Sequence, residues 1–367
     1  MQANREGGSK MNVTFPKLTE EERKEKLNIP AGKIHLIIDT DAKNEVDDQF
    51  AVSWALRSPE RFIVDAVYAA PFSHDCFKKL AGQSASLDAV GGITYADHPG
   101  DGMEASYQEL LKLFKLLNEE SDGRVFRGSN GYISDIGGPV ESDAAKDLIK
   151  RAMSSEETIY VAAIGAPTNI ASALLMEPEL VKKIVLIWLG AQPLYFKHGI
   201  EFNAMQDVKA TQILFDSGVP MVLIPCMNTA SMLTLAKPEV EQLLVRKSDI
   251  SDYLAQIVLE AYGDAKAAAG MAAMLRHSYL AFREDRDDSY LFQFPTNYTA
   301  PSRIIWDIST IAFLKNPGWT TSTLETAPVF NDNLTWGARD ESRHQIRVVN
   351  FCNRDPIFGD MIACLTK

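Results

Sequence analysis

Strand-length apolar runs alternate with helical segments along most of this chain, and this alternation constrains the fold more than any other feature. The strand-like runs are 33–38, 61–68, 158–164, 184–189 and 219–225. The helix-like segments are 46–57, 103–118, 207–215, 251–275, 303–314 and 354–365, together with one that Thr168 or Asn169 opens as its cap. Such a pattern predicts an α/β protein with a mostly parallel, mixed central sheet and helices on both faces. The carboxyl ends of parallel strands lie along one edge, where such sheets bind ligands.

The alternation also indicates how the chain is divided into domains. A length of 367 residues allows two domains at about 150 residues each. No repeat, low-complexity stretch or linker interrupts the pattern, however. We therefore expect a polar N-terminal extension at 1–32 and a single domain at 33–367. Two stretches, 72–102 and 266–301, are expected to be insertions near the ligand-binding edge.

Composition excludes several classes of function. The net charge of −12 and the isoelectric point near 5.1 repel phosphate backbones, so no nucleic-acid partner is expected. The four cysteines form no CxxC pair, which disfavours a disulfide framework and a thiolate zinc site. The longest apolar runs fall short of the ~20 residues that a membrane-spanning helix needs. Because the N-terminus also lacks the apolar core of a secretory signal, we expect a cytoplasmic protein without a membrane partner.

Four aspartates follow the first predicted strand, and they suggest a cation site. Asp39, Asp41, Asp47 and Asp48 lie within ten residues of one another, and carboxylates this close repel each other unless a cation neutralises them. Helix capping uses one or two aspartates and does not explain Asp39 and Asp41. Oxygen ligands at this density suit Ca²⁺ or Mg²⁺ rather than zinc, and a flexible acidic loop favours Ca²⁺.

Three later features are individually ordinary. The turn at 165–169 follows a strand, and one of its backbone carbonyls is able to complete a hard-cation site. Glu201 and Asn203 lie in a predicted loop and suit hydrogen bonding to sugar hydroxyls. Trp306 and Asp307 open a predicted helix, where core packing beside a helix cap accounts for both. Each feature alone therefore also fits a turn, a loop or a cap.

Together and in this order, these features resemble the nucleoside hydrolase family of the inosine-uridine-preferring type. The resemblance runs from Lys33 to the C-terminal helix, and its most specific part is the strand followed by Asp-Thr-Asp and then Asp-Asp. It implies a single-domain α/β protein with Ca²⁺ at the strand ends. It also implies hydrolysis of the N-glycosidic bond of a ribonucleoside, a small-molecule substrate, to free base and ribose. A homodimer or homotetramer is expected by the same resemblance.

The resemblance assigns a metal set residue by residue. Asp41, Asp48 and Asp307 match the side-chain ligands of the Ca²⁺, and Thr168 matches the residue that donates a backbone carbonyl. Asp41 also matches the general base that takes a proton from the attacking water.

The same resemblance assigns the substrate contacts. Asp47 matches a ligand of a ribose hydroxyl, and Glu201 and Asn203 match residues that hold the sugar. Asp39 corresponds to a residue that supports the metal loop. Many members carry, at the position of Trp306, a histidine that protonates the departing base. Purine-preferring members resemble this chain and have a tryptophan there. Because an indole face favours a protonated base, we expect a purine bias.

The chain departs from the family pattern at two further places. The loop 42–46 is longer than usual and lacks the Pro-Gly pair, so Asn44 and Glu45 either add ligands or reshape the turn. The residues after the second strand, 69–74, lack the usual Gly-Asn pair, and His74 is expected to be a solvated loop histidine.

Two alternative functions follow from these departures. The long insertions allow a different leaving group, so the chain is alternatively a hydrolase of another ribosyl compound. The altered loop and the missing histidine also fit a catalytically silent, Ca²⁺-dependent protein that binds a ribose ligand. The joint presence of all six acidic and amide side chains of the matched site argues against lost catalysis. These side chains are Asp41, Asp47, Asp48, Glu201, Asn203 and Asp307.

Overall fold

An eight-stranded sheet forms the centre of the computed structural model, which describes residues 13–76, 94, 96–262 and 302–367. Its strands are β1 (Ile34–Thr40), β2 (Phe62–Ala69), β3 (Val125–Arg127), β4 (Ile159–Ala163), β5 (Ile184–Leu189), β6 (Met221–Ile224), β9 (Thr320–Thr326) and β10 (Gln345–Cys352), and β7 (Thr234–Ala236) and β8 (Ser302–Ile304) form a separate antiparallel pair. The strand order is β3-β2-β1-β4-β5-β6-β10-β9. Neighbouring strands are parallel except β9 and β10. The predicted mostly parallel, mixed sheet is thus confirmed.

Helices cover both faces of this sheet. The described helices are α1 (Glu20–Lys26), α2 (Asp48–Leu56), α3 (Pro99–Leu116), α4 (Ile133–Ile136), α5 (Asp143–Ser154), α6 (Thr168–Met176), α7 (Leu180–Lys183), α8 (Phe202–Gln206), α9 (Val208–Ser217), α10 (Lys237–Leu243), α11 (Asp249–Tyr262), α12 (Ile308–Lys315) and α13 (Arg354–Leu365).

Side chains of β1 alternate between the two hydrophobic cores. Leu36 and Ile38 belong to the core that contains Phe50 of α2, whereas Ile37 belongs to the core that contains Ile170 of α6. This is the period-two alternation of a strand. Because both faces of β1 are buried, its sequence is a continuous apolar run, as is usual for a parallel strand under two helix layers.

The strand order reverses direction beside β1, and this reversal fixes the location of a ligand site. The chain builds β2 and β3 on one side of β1, and β4, β5 and β6 on the other. The carboxyl ends of β1 and β4 therefore form the crevice where open α/β sheets bind ligands. The two ends are in contact, since Ile164 N donates to Asp39 O at 2.8 Å. A Cβ added at Gly165 would lie 3.2 Å from Asp41 N, so the turn after β4 needs a glycine to approach the acidic loop.

Most predicted elements are present, and one predicted boundary is wrong. A helix was expected over 303–314, but Arg303 lies in β8, where its backbone is paired with Leu235 of β7, and α12 begins only at Ile308. Strand pairing of this segment outweighs its apolar helical spacing. The helix expected at 251–275 is described as far as Tyr262. Most of the expected insertions, at 77–93, 95 and 266–301, lies outside the described residues.

The N-terminal extension contributes one docked helix. Thr19 and Glu22 form a capping box at the start of α1, a signature that fixes a helix N-terminus. Arg23 is 3% exposed, and its Nη1 donates to Gly218 O at 2.8 Å. This part of the extension therefore packs on the domain. The division between the extension and the domain at residue 33 stays a prediction.

His344, which precedes β10, makes folding sensitive to acid. Burial, reinforced by the nearby Arg23 and Arg343, lowers the pKa of His344 to about 3. An unfolded chain protonates this imidazole below about pH 6.5, whereas the folded chain keeps it neutral, so stability falls as pH drops from about 6.5 towards 3. Because of His344, the free energy of unfolding of wild type should fall by about 1 kcal/mol between pH 7.5 and about pH 5.5. We expect this decrease to be absent from His344→Gln. Urea unfolding of both proteins at the two pH values measures it. Identical pH slopes would contradict the assignment.

Candidate active site

Two aspartates at the starts of helices, one after β1 and one after β8, do not act as helix caps. Asp47 occupies the N-cap position of α2, yet its side chain makes no capping hydrogen bond. Asp307 occupies the same position of α12, also without a capping hydrogen bond. Since capping was the simplest explanation of both residues, their carboxylates are left for another partner.

The structure brings three aspartates together from opposite ends of the chain. Oxygen atoms of Asp47, Asp48 and Asp307 all lie within 4.8 Å of one another, and the three side chains are buried. The backbone N–H of Asp307 donates to Asp47 Oδ2 at 3.4 Å, and the hydroxyl of Thr40 donates to Asp48. The helices α2 and α12 thus begin side by side and direct their first acidic residues to the same place.

Asp41 lies on the same cavity but outside this group of three. It is 2% exposed, and its Oδ2 atom makes no hydrogen bond to any described residue. Two members of the predicted metal set, Asp48 and Asp307, are therefore adjacent, and a third, Asp41, lines the cavity beside them. The remaining carboxylate of the close group belongs to Asp47, which was predicted to bind the ribose.

Burial and mutual repulsion act on all four aspartates of the cavity, Asp41, Asp47, Asp48 and Asp307. Burial and then the neighbouring carboxylates raise the pKa values of Asp41, Asp47 and Asp307 well above the ordinary range. Burial raises the pKa of Asp48 to about 7, although hydrogen bonds with Thr40 and Asp307 oppose the increase. Like charges this close cannot all ionise without a compensating positive charge. The chain supplies one nearby, the guanidinium of Arg303, which lowers the pKa of Asp47.

A partly open cavity lies against these carboxylates, with about 390 Å³ of empty space that includes space open to solvent. Acidic and amide side chains make up most of its wall, and a few apolar residues complete it. The lining residues are Asp41, Asn44, Glu45, Asp47, Asp48, Ile164, Leu189, Glu201, Phe202, Asn203, Cys226, Trp306 and Asp307. Most of the residues singled out in the sequence therefore face one cavity.

Glu201 and Asn203 approach the cavity from the start of α8. The Glu201 carboxylate accepts hydrogen bonds from the backbone N–H groups of Ala191 at 2.8 Å, Asn203 at 3.0 Å and Ala204 at 3.1 Å. Burial nevertheless raises the pKa of Glu201 to about 7. The side-chain amide of Asn203 donates to Leu189 O at 3.1 Å. These bonds fix both side chains in the cavity wall.

Thr168 is not among the lining residues. It is the first residue of α6, its backbone carbonyl is directed along that helix, and its hydroxyl donates to Asp207 Oδ2 at 2.8 Å. Thr168 also does not cap α6, because Pro167 holds the N-cap position. From the same turn, Ile164 lines the cavity. The predicted helix cap at Asp207 is confirmed, since Asp207 accepts from Ala210 N.

Asp39 is buried but is not among the residues that line the cavity. Its carboxylate accepts from Asn169 Nδ2 at 2.7 Å, and Asn169 Oδ1 accepts from Ser129 N at 2.7 Å. Burial raises the pKa of Asp39 to about 7. These bonds connect the ends of β1, β3 and β4, a position that fits the support expected of Asp39.

Several site residues were missed or misjudged from the sequence. Glu45, expected either to add a ligand or to reshape the turn, lines the cavity and forms a 2.9 Å ion pair with Arg303 that was not predicted. Cys226 also lines the cavity. The expectation of a solvated His74 is wrong: the residue is 5% exposed, with its ring 5.5 Å from that of Phe202. Tertiary packing of this loop on α8 buries the imidazole.

Among the described residues, none of the helices combines the length and the apolar character that a bilayer span requires.

Comparison with known proteins identifies the family. The sequence profile of "Inosine-uridine preferring nucleoside hydrolase" matches residues 36–357. A "Probable uridine nucleosidase 2" of Arabidopsis thaliana is 27% identical over 235 residues, covering 62% of this chain and 70% of the relative. The "Pyrimidine-specific ribonucleoside hydrolase RihB" of Escherichia coli is 29% identical over 164 residues, covering 40% of this chain and 52% of the relative.

Solved structures show the same fold. A purine-preferring ribonucleoside hydrolase from Gardnerella vaginalis aligns with a TM-score of 0.61 at 18% identity, over 90% of this chain and 98% of its own. A plant nucleoside hydrolase aligns with a TM-score of 0.60 at 17% identity, over 91% and 99% of the two chains. The chain therefore belongs to the inosine-uridine preferring nucleoside hydrolase family, enzymes that hydrolyse the N-glycosyl bond of ribonucleosides.

Proposed function

We propose that this protein hydrolyses the N-glycosidic bond of ribonucleosides in a Ca²⁺-dependent reaction, with a bias towards purines, to give free base and ribose. One observation carries the proposal: the buried carboxylates of Asp47, Asp48 and Asp307 meet at a partly open cavity that Glu201 and Asn203 also line. Carboxylates for a cation and polar groups for a sugar thus share one small-molecule site.

The residues present fit a hard divalent cation. The donors are oxygen atoms of buried aspartates, and Asp41 contributes an unpaired buried oxygen; such a set suits Ca²⁺ or Mg²⁺, and Ca²⁺ tolerates its irregular arrangement. Asp41, Asp48 and Asp307 would hold the ion. The backbone carbonyl of Ile164 replaces that of Thr168 in the proposal because Ile164 lines the cavity. When bound, Ca²⁺ supplies positive charge that orients water and sugar hydroxyls and makes the water more acidic.

Asp41 acts as the general base in this proposal. Its unpaired oxygen is available to take a proton from the water that attacks the anomeric carbon. The sugar becomes oxocarbenium-like as the bond to the base breaks, and the surrounding carboxylates stabilise its positive charge. Asp47 accepts a hydrogen bond from a ribose hydroxyl, and Glu201 and Asn203 hold the rest of the sugar.

Trp306 contacts the leaving base in this proposal. It lines the cavity directly before Asp307 and is 6% exposed. A stacked indole favours a base that gains a proton as it departs. Because a two-ring base offers more stacking area than a one-ring base, the same contact favours purines.

Replacing Trp306 tests the purine bias. Stacking contributes ~1–3 kcal/mol per base, so Trp306→Ala should lower kcat/KM for inosine about 10- to 100-fold and lower that for uridine less. Trp306→Phe, which keeps an aromatic face, should retain most of the activity on inosine. Chromatographic rates of base release from both nucleosides measure these effects. A wild-type preference for uridine would contradict the bias.

A pyrimidine preference is the second candidate. It is favoured by the printed names of two relatives, a probable uridine nucleosidase and a pyrimidine-specific ribonucleoside hydrolase. The inosine and uridine comparison decides between the two preferences.

The proposal includes a homodimer or homotetramer in the cytoplasm. The acidic net charge of −12 is consistent with a well-solvated enzyme. Light scattering coupled to size-exclusion chromatography determines the number of 40.6 kDa chains in the assembly.

A further inference from the structure

The long loop 42–46 places a neutral amide in the wall of the acidic cavity. Asn44 lines the cavity and is 7% exposed. Its side-chain oxygen is buried and makes no hydrogen bond within the part of the chain that the structure describes. Buried amide groups are nearly always paired, so this one indicates a partner outside the described residues, and the cavity that Asn44 lines is where a ligand would supply it.

The backbone of Asn44 is held firmly. Its N–H donates to Asp41 O at 2.7 Å, and its carbonyl accepts from Thr94 N at 3.2 Å. The side-chain amide of Gln49, on α2, donates to Ala42 O and to Glu45 O, the latter at 3.2 Å. The backbone that carries the Asn44 side chain is therefore fixed beside the cavity, which lowers the entropic cost of binding a ligand there.

Ion pairs with residues of α3 and β8 also hold the loop 42–46. Glu109 of α3 is 4% exposed, accepts from the hydroxyl of Tyr253, and lies 3.2 Å from Lys43 Nζ. On the other side, Arg303 of β8 holds Glu45 at 2.9 Å. The lengthened loop is thus a fixed part of the site.

Among its lining side chains, the cavity wall has few hydrogen-bond donors and many acceptors. Its carboxylates only accept hydrogen bonds when ionised, whereas each sugar hydroxyl donates one and accepts up to two. Asn203 uses one of its two amide N–H groups on Leu189 O, Trp306 is assigned to the base, and the thiol of Cys226 is a weak donor. The acidic members of the wall are Asp41, Glu45, Asp47, Asp48, Glu201 and Asp307.

We infer that Asn44 is a substrate-binding residue whose amide hydrogen-bonds a hydroxyl of the ribosyl group, an inference that rests on the proposed function. The amide offers a donor and an acceptor side by side, which carboxylates do not. The occupant is a neutral polyhydroxylated sugar, because the surrounding carboxylates repel an anionic ligand.

Deoxynucleosides test this contact one hydroxyl at a time. The rates of base release are measured for a ribonucleoside and for its 2′-, 3′- and 5′-deoxy analogues, with wild type, Asn44→Ala, Asn44→Asp and the exposed control Asn350→Ala. We expect Asn44→Ala to lower kcat/KM for the ribonucleoside about 10-fold. We also expect it to cause no further loss on the analogue that lacks the contacted hydroxyl. Asn44→Asp, which keeps the shape without the donor, should lose a similar factor, and the control should match wild type.

Further measurements separate the alternatives. Calorimetric titration with Ca²⁺ should give the same affinity for Asn44→Ala and wild type; a parallel loss of metal affinity and activity would make Asn44 a metal ligand and overturn the inference. Unchanged rates in folded Asn44→Ala and Asn44→Asp would also overturn it while leaving the proposed function intact. If wild type releases no base from any nucleoside, the proposed function fails. Calorimetric binding of ribose, weaker in Asn44→Ala than in wild type, then tests the inference by itself.

Discussion

Asp41→Asn is expected to lower kcat for base release by about 10²- to 10⁴-fold, the usual contribution of a general base. The asparagine keeps the size of the side chain and one oxygen atom, but it cannot accept the proton of the attacking water. The buried, unpaired Oδ2 of Asp41 is the group that this change removes. Single-turnover release of base from inosine, measured with saturating Ca²⁺, gives the rate.

An exposed aspartate provides the matched control for this change. Asp122 lies on the surface, so Asp122→Asn should retain wild-type kcat. Circular dichroism and thermal unfolding verify that both variants fold. A wild-type rate in folded Asp41→Asn would show that another group removes the proton.

Removal of Ca²⁺ is expected to abolish base release and to destabilise the fold. Without the ion, Asp47, Asp48 and Asp307 crowd their oxygens within 4.8 Å, which keeps them from ionising together. At a Ca²⁺ concentration of about 100 times Kd, the bound ion stabilises the folded state by about 2.7 kcal/mol, which corresponds to a Tm increase of about 3.5 °C for a chain of 367 residues. Differential scanning calorimetry and base release, each with EGTA and then with excess Ca²⁺, measure both effects.

Magnesium provides the comparison that tests the choice of ion. Mg²⁺ demands near-ideal octahedral geometry and dehydrates reluctantly, so it should restore much less activity than Ca²⁺ to the EGTA-treated protein. Full activity in EGTA would contradict a metal-dependent reaction, and equal rescue by Mg²⁺ would contradict the preference for Ca²⁺.

Local sequence patterns were sufficient to predict five of the eight strands of the central sheet, and β3, β9 and β10 were not predicted. The buried run of β1 and the aspartates after it lie at the carboxyl edge because parallel strands share a direction. The edge strands were harder to predict. In β9 the sequence Thr-Thr-Ser-Thr-Leu-Glu-Thr is largely polar and only partly buried, so it lacks the apolar run that identified the inner strands.

Long-range contacts in the site were beyond any local pattern. Asp307 is about 260 positions from Asp47, and only the family resemblance linked these residues before the structure was known. The direction of a backbone carbonyl depends on the turn geometry, so the carbonyl ligand assigned to Thr168 stays a prediction, beside Ile164, which lines the cavity. The ion pair of Glu45 with Arg303 depends on how β8 packs beside the acidic loop.

A Ca²⁺ titration of chelator-treated protein tests the central claim most directly, namely that acidic groups from both ends of the chain hold one ion. Isothermal titration calorimetry is applied to wild type, Asp48→Asn and Asp307→Asn. The account predicts one Ca²⁺ per wild-type chain and an affinity at least about 10-fold weaker in each variant, since each loses a charged ligand. Wild-type stoichiometry and affinity in Asp307→Asn would contradict it.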